Sequence, residues 1–257
     1  MSRTPRFLIA IDIGNSAISY GVFDGQKLVA SSFAYSGNIP FLSNKLIKNK
    51  MLNPNSLVII SSVVPFLTSK LEKALGKILP PRSLYTIGKN VRPRVRMRYQ
   101  RKVLGSDRLV NIYGAIRFYK LPCLIIDYGT AITFDYVSSS GIFEGGLIIP
   151  GLEVSSRALQ ERAALLPKFT KIEPVSELVG KDTKSAMCSG LLNGFGAMTD
   201  GLVNRFRKRY GARMTVLATG GHASRIADYA SSFNHVDPLH TVRSLAFIYH
   251  NEIEGEK

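Results

Sequence analysis

The stretch Leu124-Ile125-Ile126-Asp127-Tyr128-Gly129-Thr130-Ala131-Ile132-Thr133-Phe134-Asp135 decides the fold. The apolar run 123–126 ends on a carboxylate and then a glycine, and residues 130–137 follow with the alternation of a second strand. This predicts a strand, a tight turn and a returning strand, with Asp127 and Thr130 at the tip. Gly129 has no Cβ, so backbone N–H groups and a hydroxyl can come close to a phosphate. A carboxylate beside that tip would repel phosphate unless a cation or a proton in transit sits between them. The pattern suits an anion together with its counter-ion.

The same pattern occurs once before. Phe7-Leu8-Ile9-Ala10-Ile11-Asp12-Ile13-Gly14-Asn15-Ser16-Ala17-Ile18-Ser19 has an apolar strand, Asp-x-Gly, small polar residues and a second strand, 115 positions earlier. Ala-Ile aligns in both copies if the second has lost one residue from the turn. In each copy a turn glycine (Gly25, Gly141) precedes a third strand. Duplication at half-chain spacing predicts two similar domains, residues 1–120 and 121–257, whose Asp-Gly turns converge on one ligand.

Composition narrows the class. A chain of 257 residues, 45% hydrophobic and 20% charged, can bury a sizeable core. Its apolar runs are too short to cross a bilayer, and residues 1–6 do not read as a secretory leader. Two cysteines fit a reducing compartment, and the four histidines lack zinc spacing. A cytoplasmic protein is expected. The net charge of +16 admits nucleic acid, an anionic surface or anionic small molecules as partners. Arg92, Arg94, Arg96 and Arg98 alternate so as to share one face of an expected strand, but no zinc-finger, homeodomain or aromatic RNA-binding signature accompanies them, which disfavours nucleic acid.

Helical spacing at 40–52 and 66–79, buried strands at 57–64 and 84–87, and a long helix from residue 183 to 210 point to an α/β protein. That last helix holds Gly190, Gly194, Gly196 and Gly201, which suggests close packing against another helix or across a subunit interface. Asp237-Pro238 reads as the cap of a final helix ending near residue 252. Gly105-Ser106-Asp107-Arg108 opens a helix that runs to about residue 120. Read alone, Ser106 is an N-cap and Asp107 a first-turn acid; the functional alternative makes Asp107 a general base and Arg108 an anion partner. Neither a Walker A motif nor Gly-x-Gly-x-x-Gly is present, so any nucleotide must be held by the paired Asp-Gly turns.

Taken together, Asp12-x-Gly-Asn-Ser, Gly105-x-Asp-Arg, Asp127-x-Gly-Thr-Ala-x-Thr-x-Asp135, Gly145-Gly-x-Ile-x-Pro-Gly151 and Thr219-Gly-Gly221 resemble the type III pantothenate kinases of the acetate/sugar kinase, Hsp70 and actin superfamily. The resemblance implies two duplicated actin-like ATPase (ribonuclease H-like) domains with mixed five-stranded sheets and flanking helices. It implies ATP-dependent phosphorylation of pantothenate to 4'-phosphopantothenate, the first step of coenzyme A biosynthesis. Asp12, Ile13, Gly14, Asn15, Ser16, Ala17, Ile18, Ser19 and Thr130 would contact ATP. Asp107 would be the catalytic base, and Gly105, Ser106, Asp107, Arg108 and Thr183 would bind pantothenate, Thr183 reaching the site of a partner in a homodimer with a shared active site. Asp127 would hold a monovalent cation (potassium or ammonium), with Mg2+ accompanying ATP. Ser16 stands where the family usually has threonine and Asp182 where it has asparagine. A substrate-contacting tyrosine expected seven residues before Gly105 is matched only by Tyr99, six before, and the proline that follows it is missing. This departure leaves another acceptor open, as the basic charge leaves open a regulatory relative that acts by binding.

Overall fold

The computed structural model describes residues 6–35, 46–163 and 165–255. They form two compact units, the first drawn from Met1–Phe118 and Leu239–Lys257, the second from Tyr119–Pro238.

In the first unit, β1 (Phe7–Ile13), β2 (Ala17–Asp24) and β3 (Lys27–Tyr35) form an antiparallel meander, and β4 (Leu57–Ser62) and β5 (Leu84–Thr86) add in parallel, giving the order β3-β2-β1-β4-β5. Helix α1 (Pro65–Leu75) starts on a proline, which needs no N–H partner at that position. Leu71 and Leu75 of α1 join Ile9, Ile11, Ile13, Val58 and Ile60 in one apolar core. The helix expected at 40–52 lies largely outside the described residues, of which 46–48 are helical.

After β5, residues 91–98 keep the expected alternation without being a full strand. Val91, Pro93 and Val95 are buried and Arg92, Arg94, Arg96 and Arg98 exposed, yet only β6 (Arg96–Met97) is regular strand. Pro93 has no N–H to give to a ladder, which limits strand pairing here. Helix α2 (Ser106–Phe118) follows.

The second unit repeats the plan. β7 (Cys123–Tyr128), β8 (Ala131–Val137) and β9 (Ile142–Pro150) form the meander; β10 (Thr215–Thr219) and β11 (His235–Val236) add in parallel beside β7. Its five strands run in the order β9-β8-β7-β10-β11, as in the first sheet, within a sheet of six where five were expected. Helix α3 (Leu152–Arg162) starts after Gly151. Helix α4 (Thr183–Tyr210) is capped by Asp182, whose carboxylate accepts from Ser185 N at 3.0 Å while Ser185 Oγ accepts from Asp182 N at 3.1 Å. The short α5 (Ala223–Ala227) follows β10.

Two expectations are corrected. The residues after 121 do not all belong to the second unit: α6 (His240–Tyr249) returns to the first, because Val242, Leu245, Ala246 and Ile248 are buried where it packs on α2 and β1. Nor does Asp237 cap that helix. The N-cap is Leu239, without a side-chain bond, and Asp237 Oδ2 instead accepts from the Tyr119 hydroxyl at 3.4 Å.

The glycines of α4 divide into two sets. A Cβ at Gly190, Gly194 or Gly201 would meet nothing, whereas one at Gly196 would collide with the Tyr229 carbonyl. Close packing inside the unit thus explains only Gly196. Gly196→Ala is expected to lower the melting temperature by several degrees, even though alanine is the better helix former by about 1 kcal/mol. A rise in melting temperature would show that the Tyr229 backbone yields.

Candidate active site

In the first unit the site is built at one end of the sheet. Asp12 is the penultimate residue of β1, in register with Ser19 on β2 and Ser61 on β4. The turn between β1 and β2 closes with Gly14 N donating to Ala17 O at 2.9 Å, leaving Gly14, Asn15 and Ser16 at the tip. Next to it, Val63 N donates to Ile13 O at 3.1 Å, so the chain leaving β4 is held at the β1 end.

The helix that carries Asp107 is joined to that same edge. Ser106 Oγ donates to Ser62 O at 2.7 Å and accepts from Ser62 N at 3.0 Å. Ser106 is therefore not the cap expected from the sequence. It is the first helical residue, Gly105 precedes it, and its hydroxyl fastens α2 to β4. Because Ser62 is paired with Ile13, Asp107 stands at the sheet end that carries Asp12.

Asp107 is half-buried, and its Oδ1 accepts from Arg108 N at 2.7 Å. Burial raises its carboxyl above the ordinary aspartate range, while the Arg108 N–H and guanidinium oppose the rise. Arg108 is 7% exposed and lies over the Tyr99 ring, 5.3 Å from its centroid. The structure thus sets Tyr99 against the Gly105–Arg108 motif despite the displaced spacing.

The second unit arranges three glycines around Asp127 and Thr130. Gly129 N donates to Ala131 O at 3.2 Å, a turn one residue tighter than its counterpart, as the alignment requires. Gly151 N donates to Thr130 O at 2.9 Å, and a Cβ there would strike the Gly129 and Thr130 carbonyls. Gly220, at φ +90°, lies against the Asp127 carboxylate and the Tyr128 backbone. Tyr128 anchors the turn from below: it is 1% exposed, with its hydroxyl 2.7 Å from Thr199 on α4.

His222 and Glu153 were not read as a pair from sequence, being 69 positions apart. His222 N donates to Tyr128 O at 3.2 Å, and its ring Nε2 is 3.5 Å from Glu153 Oε1. Burial lowers the His222 pKa, against the pull of Glu153. Thr183, the first residue of α4, is exposed.

Among the described residues no cluster of three His, Cys, Asp or Glu side chains is placed to hold a metal. Asp12 and Asp127 each offer a single carboxylate beside a backbone-rich turn. Such a hard-oxygen donor suits a cation that takes its remaining ligands from phosphate and water.

The family model described as type III pantothenate kinase matches residues 8–205. The chain belongs to the type III pantothenate kinase family. A member from Caulobacter vibrioides is 37% identical over 262 residues, covering 97% of this chain and 99% of that protein. Members from Brevibacillus brevis and Dehalococcoides mccartyi are 36% and 35% identical, each over 94% of this chain and over 98% and 96% of their own. Among solved structures, a candidate Baf family transcriptional activator from Campylobacter jejuni aligns with a TM-score of 0.61 at 19% identity, over 96% of this chain and 99% of that one. An archaeal actin homolog aligns with a TM-score of 0.51 at 13% identity, over 96% and 99%. These two likenesses show the actin-like fold, repeated in both sheets of this kinase family member.

Gly220 supplies a test of the second turn. Gly220→Ala should cost about 1–3 kcal/mol, since alanine resists positive φ and its methyl would press on Asp127. Gly221→Ala, whose methyl meets nothing within 4 Å, should leave the melting temperature unchanged. Equal effects of the two would show that the contact with Asp127 does not constrain the turn.

Proposed function

We propose that this chain transfers the γ-phosphoryl group of ATP to the primary hydroxyl of pantothenate with Asp107 as general base. The observation that carries the reading is the hydroxyl bridge between Ser106 and Ser62, which sets a half-buried carboxylate beside the Asp12 turn. Asp107 accepts the hydroxyl proton as the new P–O bond forms and the β–γ bridging bond breaks, releasing ADP. Arg108, held against the Tyr99 ring, pairs with the pantothenate carboxylate, and Gly105 and Ser106 give the acceptor close access to the helix start.

The backbone N–H groups of residues 12–19 and the Thr130 hydroxyl hold the nucleotide phosphates. Asp12 would hold Mg2+, and Asp127 a monovalent cation, potassium or ammonium. Bound there, these cations neutralise charge on the phosphates. The product is 4'-phosphopantothenate, toward coenzyme A.

Burial of Asp107 gives the assignment a sign. Its raised pKa means the ionised form destabilises the fold, a cost absent below the unfolded value of about 3.9 and full above the folded one. Asp107→Asn should therefore abolish pantothenate-dependent ADP release while the melting temperature at pH 7 holds or rises. Wild-type turnover should need ATP, magnesium and pantothenate, and should be faster in potassium or ammonium than in sodium. An active, folded Asp107→Asn chain would remove Asp107 from the role.

The reading includes a homodimer in the cytoplasm. Among the described residues no helix is long and apolar enough to cross a membrane. On α4 the exposed positions Thr183, Ala186, Gly190, Gly194, Ala197 and Gly201 make a smooth face, and Leu178 and Val179 beside its start are 71% and 69% exposed. A second copy seated there would bring its own Thr183 toward this chain's substrate. Sedimentation should give a dimer, and Gly194→Arg should give monomers with reduced turnover; a dimer unaffected by that change would place the interface elsewhere.

A further inference from the structure

Helix α2 presents Asp107 on its first turn, and one face of the helix is fixed to α6 by a buried polar cluster. Asn111, one turn beyond Asp107 and on the same face, is 1% exposed. Its Oδ1 accepts from the Thr241 hydroxyl at 2.8 Å. Its backbone carbonyl accepts from His240 Nε2 at 2.9 Å, which fixes the proton of that buried ring on Nε2, because a carbonyl can only accept. His240 is 0% exposed and Thr241 9% exposed.

The contact face continues with helical spacing. At Gly114 the two helices meet so closely that a Cβ would overlap the Ser244 side chain. Phe118 then packs edge-on against His240 and Phe247, at 6.0 and 5.1 Å between centroids. Residues 111, 114 and 118 thus form one stripe against α6.

Apolar contacts alone would hold two helices together, but they tolerate small slides and rotations. A hydrogen bond does not, since it weakens steeply with distance and angle. We propose that Thr241 and His240, acting through Asn111, are positioning residues that fix the rotation and axial register of α2 and so the placement of the Asp107 carboxylate. The inference rests on the reading of Asp107 as the base. Helix α6 then contributes to catalysis without touching the substrate.

Thr241→Val removes the hydroxyl at nearly constant shape, and Thr241→Ser keeps it. The valine variant is expected to lower kcat by about 10- to 100-fold, as sub-ångström displacement of a catalytic group does, with KM for ATP and pantothenate within about twofold of wild type. The serine variant should recover most of the kcat. Since valine leaves Asn111 Oδ1 buried without its donor, Thr241→Val/Asn111→Leu is the companion, replacing both partners by apolar groups to preserve folding. Its kcat should also stay low. Wild-type kcat per folded molecule in either variant, whatever its melting temperature, would overturn the positioning role and leave Asp107 in place. A wild-type chain without pantothenate-dependent turnover would overturn the Asp107 reading and this inference with it.

Discussion

The paired hydrogen bonds between the Ser106 hydroxyl and the backbone of Ser62 hold the arrangement of the first unit together. They join a strand and a helix whose bonded residues lie 44 positions apart, and Ser61 Oγ adds a donation to Ser106 Oγ at 3.3 Å. With them, the start of α2 is locked to the strand that pairs with β1, and two carboxylates stand at one sheet end. Burial makes ionising Asp107 costly, against the stabilising pull of Arg108. A fold keeps such a group where the surrounding structure is rigid enough to hold it.

Duplication gives one backbone plan two unlike turns. Five strands of each unit run in the same order, and both inner hairpins turn on Asp-x-Gly. The copies differ by one residue in the turn, and that difference changes what the tip can offer. The longer first turn presents Asn15 and Ser16 with their backbone N–H groups. The shorter second turn is walled by Gly151 and Gly220, whose missing side chains leave room beside Thr130 and Asp127. The counterpart of β4 in the second copy, β10, runs on into Gly220 and Gly221, where β4 ends on the serine that anchors a helix. Equivalent positions have thus taken on unlike duties within the same backbone frame.

Much of this was legible in the sequence, because period-two alternation and turn glycines are local signals. The hairpins at both Asp-x-Gly turns and the long helix from residue 183 to 210 appear as read. The buried-exposed alternation of 91–98 was also right, although Pro93 interrupts the strand it implied. The remaining features depend on partners distant in the chain. Ser106 reads as a cap because its residue type favours caps, and only the approach of Ser62 gives its hydroxyl another use. Asp237 likewise looks like a cap until Tyr119 takes its carboxylate. The Glu153–His222 contact joins the first turn of α3 to the turn after β10, which share no local pattern. The return of α6 was hidden for the same reason: an amphipathic helix shows that it has a face to bury, but not which unit will bury it.

The path of α6 has a consequence for the order of assembly during synthesis. Domains tend to fold as units while the chain emerges, the N-terminal one first. Here the first unit needs Val242, Leu245 and Ile248 to cover β1 and α2, and those residues leave the ribosome after the whole second unit. The nascent first unit must therefore wait with part of its apolar surface uncovered, including the groove at Gly114 that Ser244 later fills. The second unit, whose strands and helices all lie between residues 119 and 238, can close on its own contacts. In this chain the half that is made first is the half that is finished last.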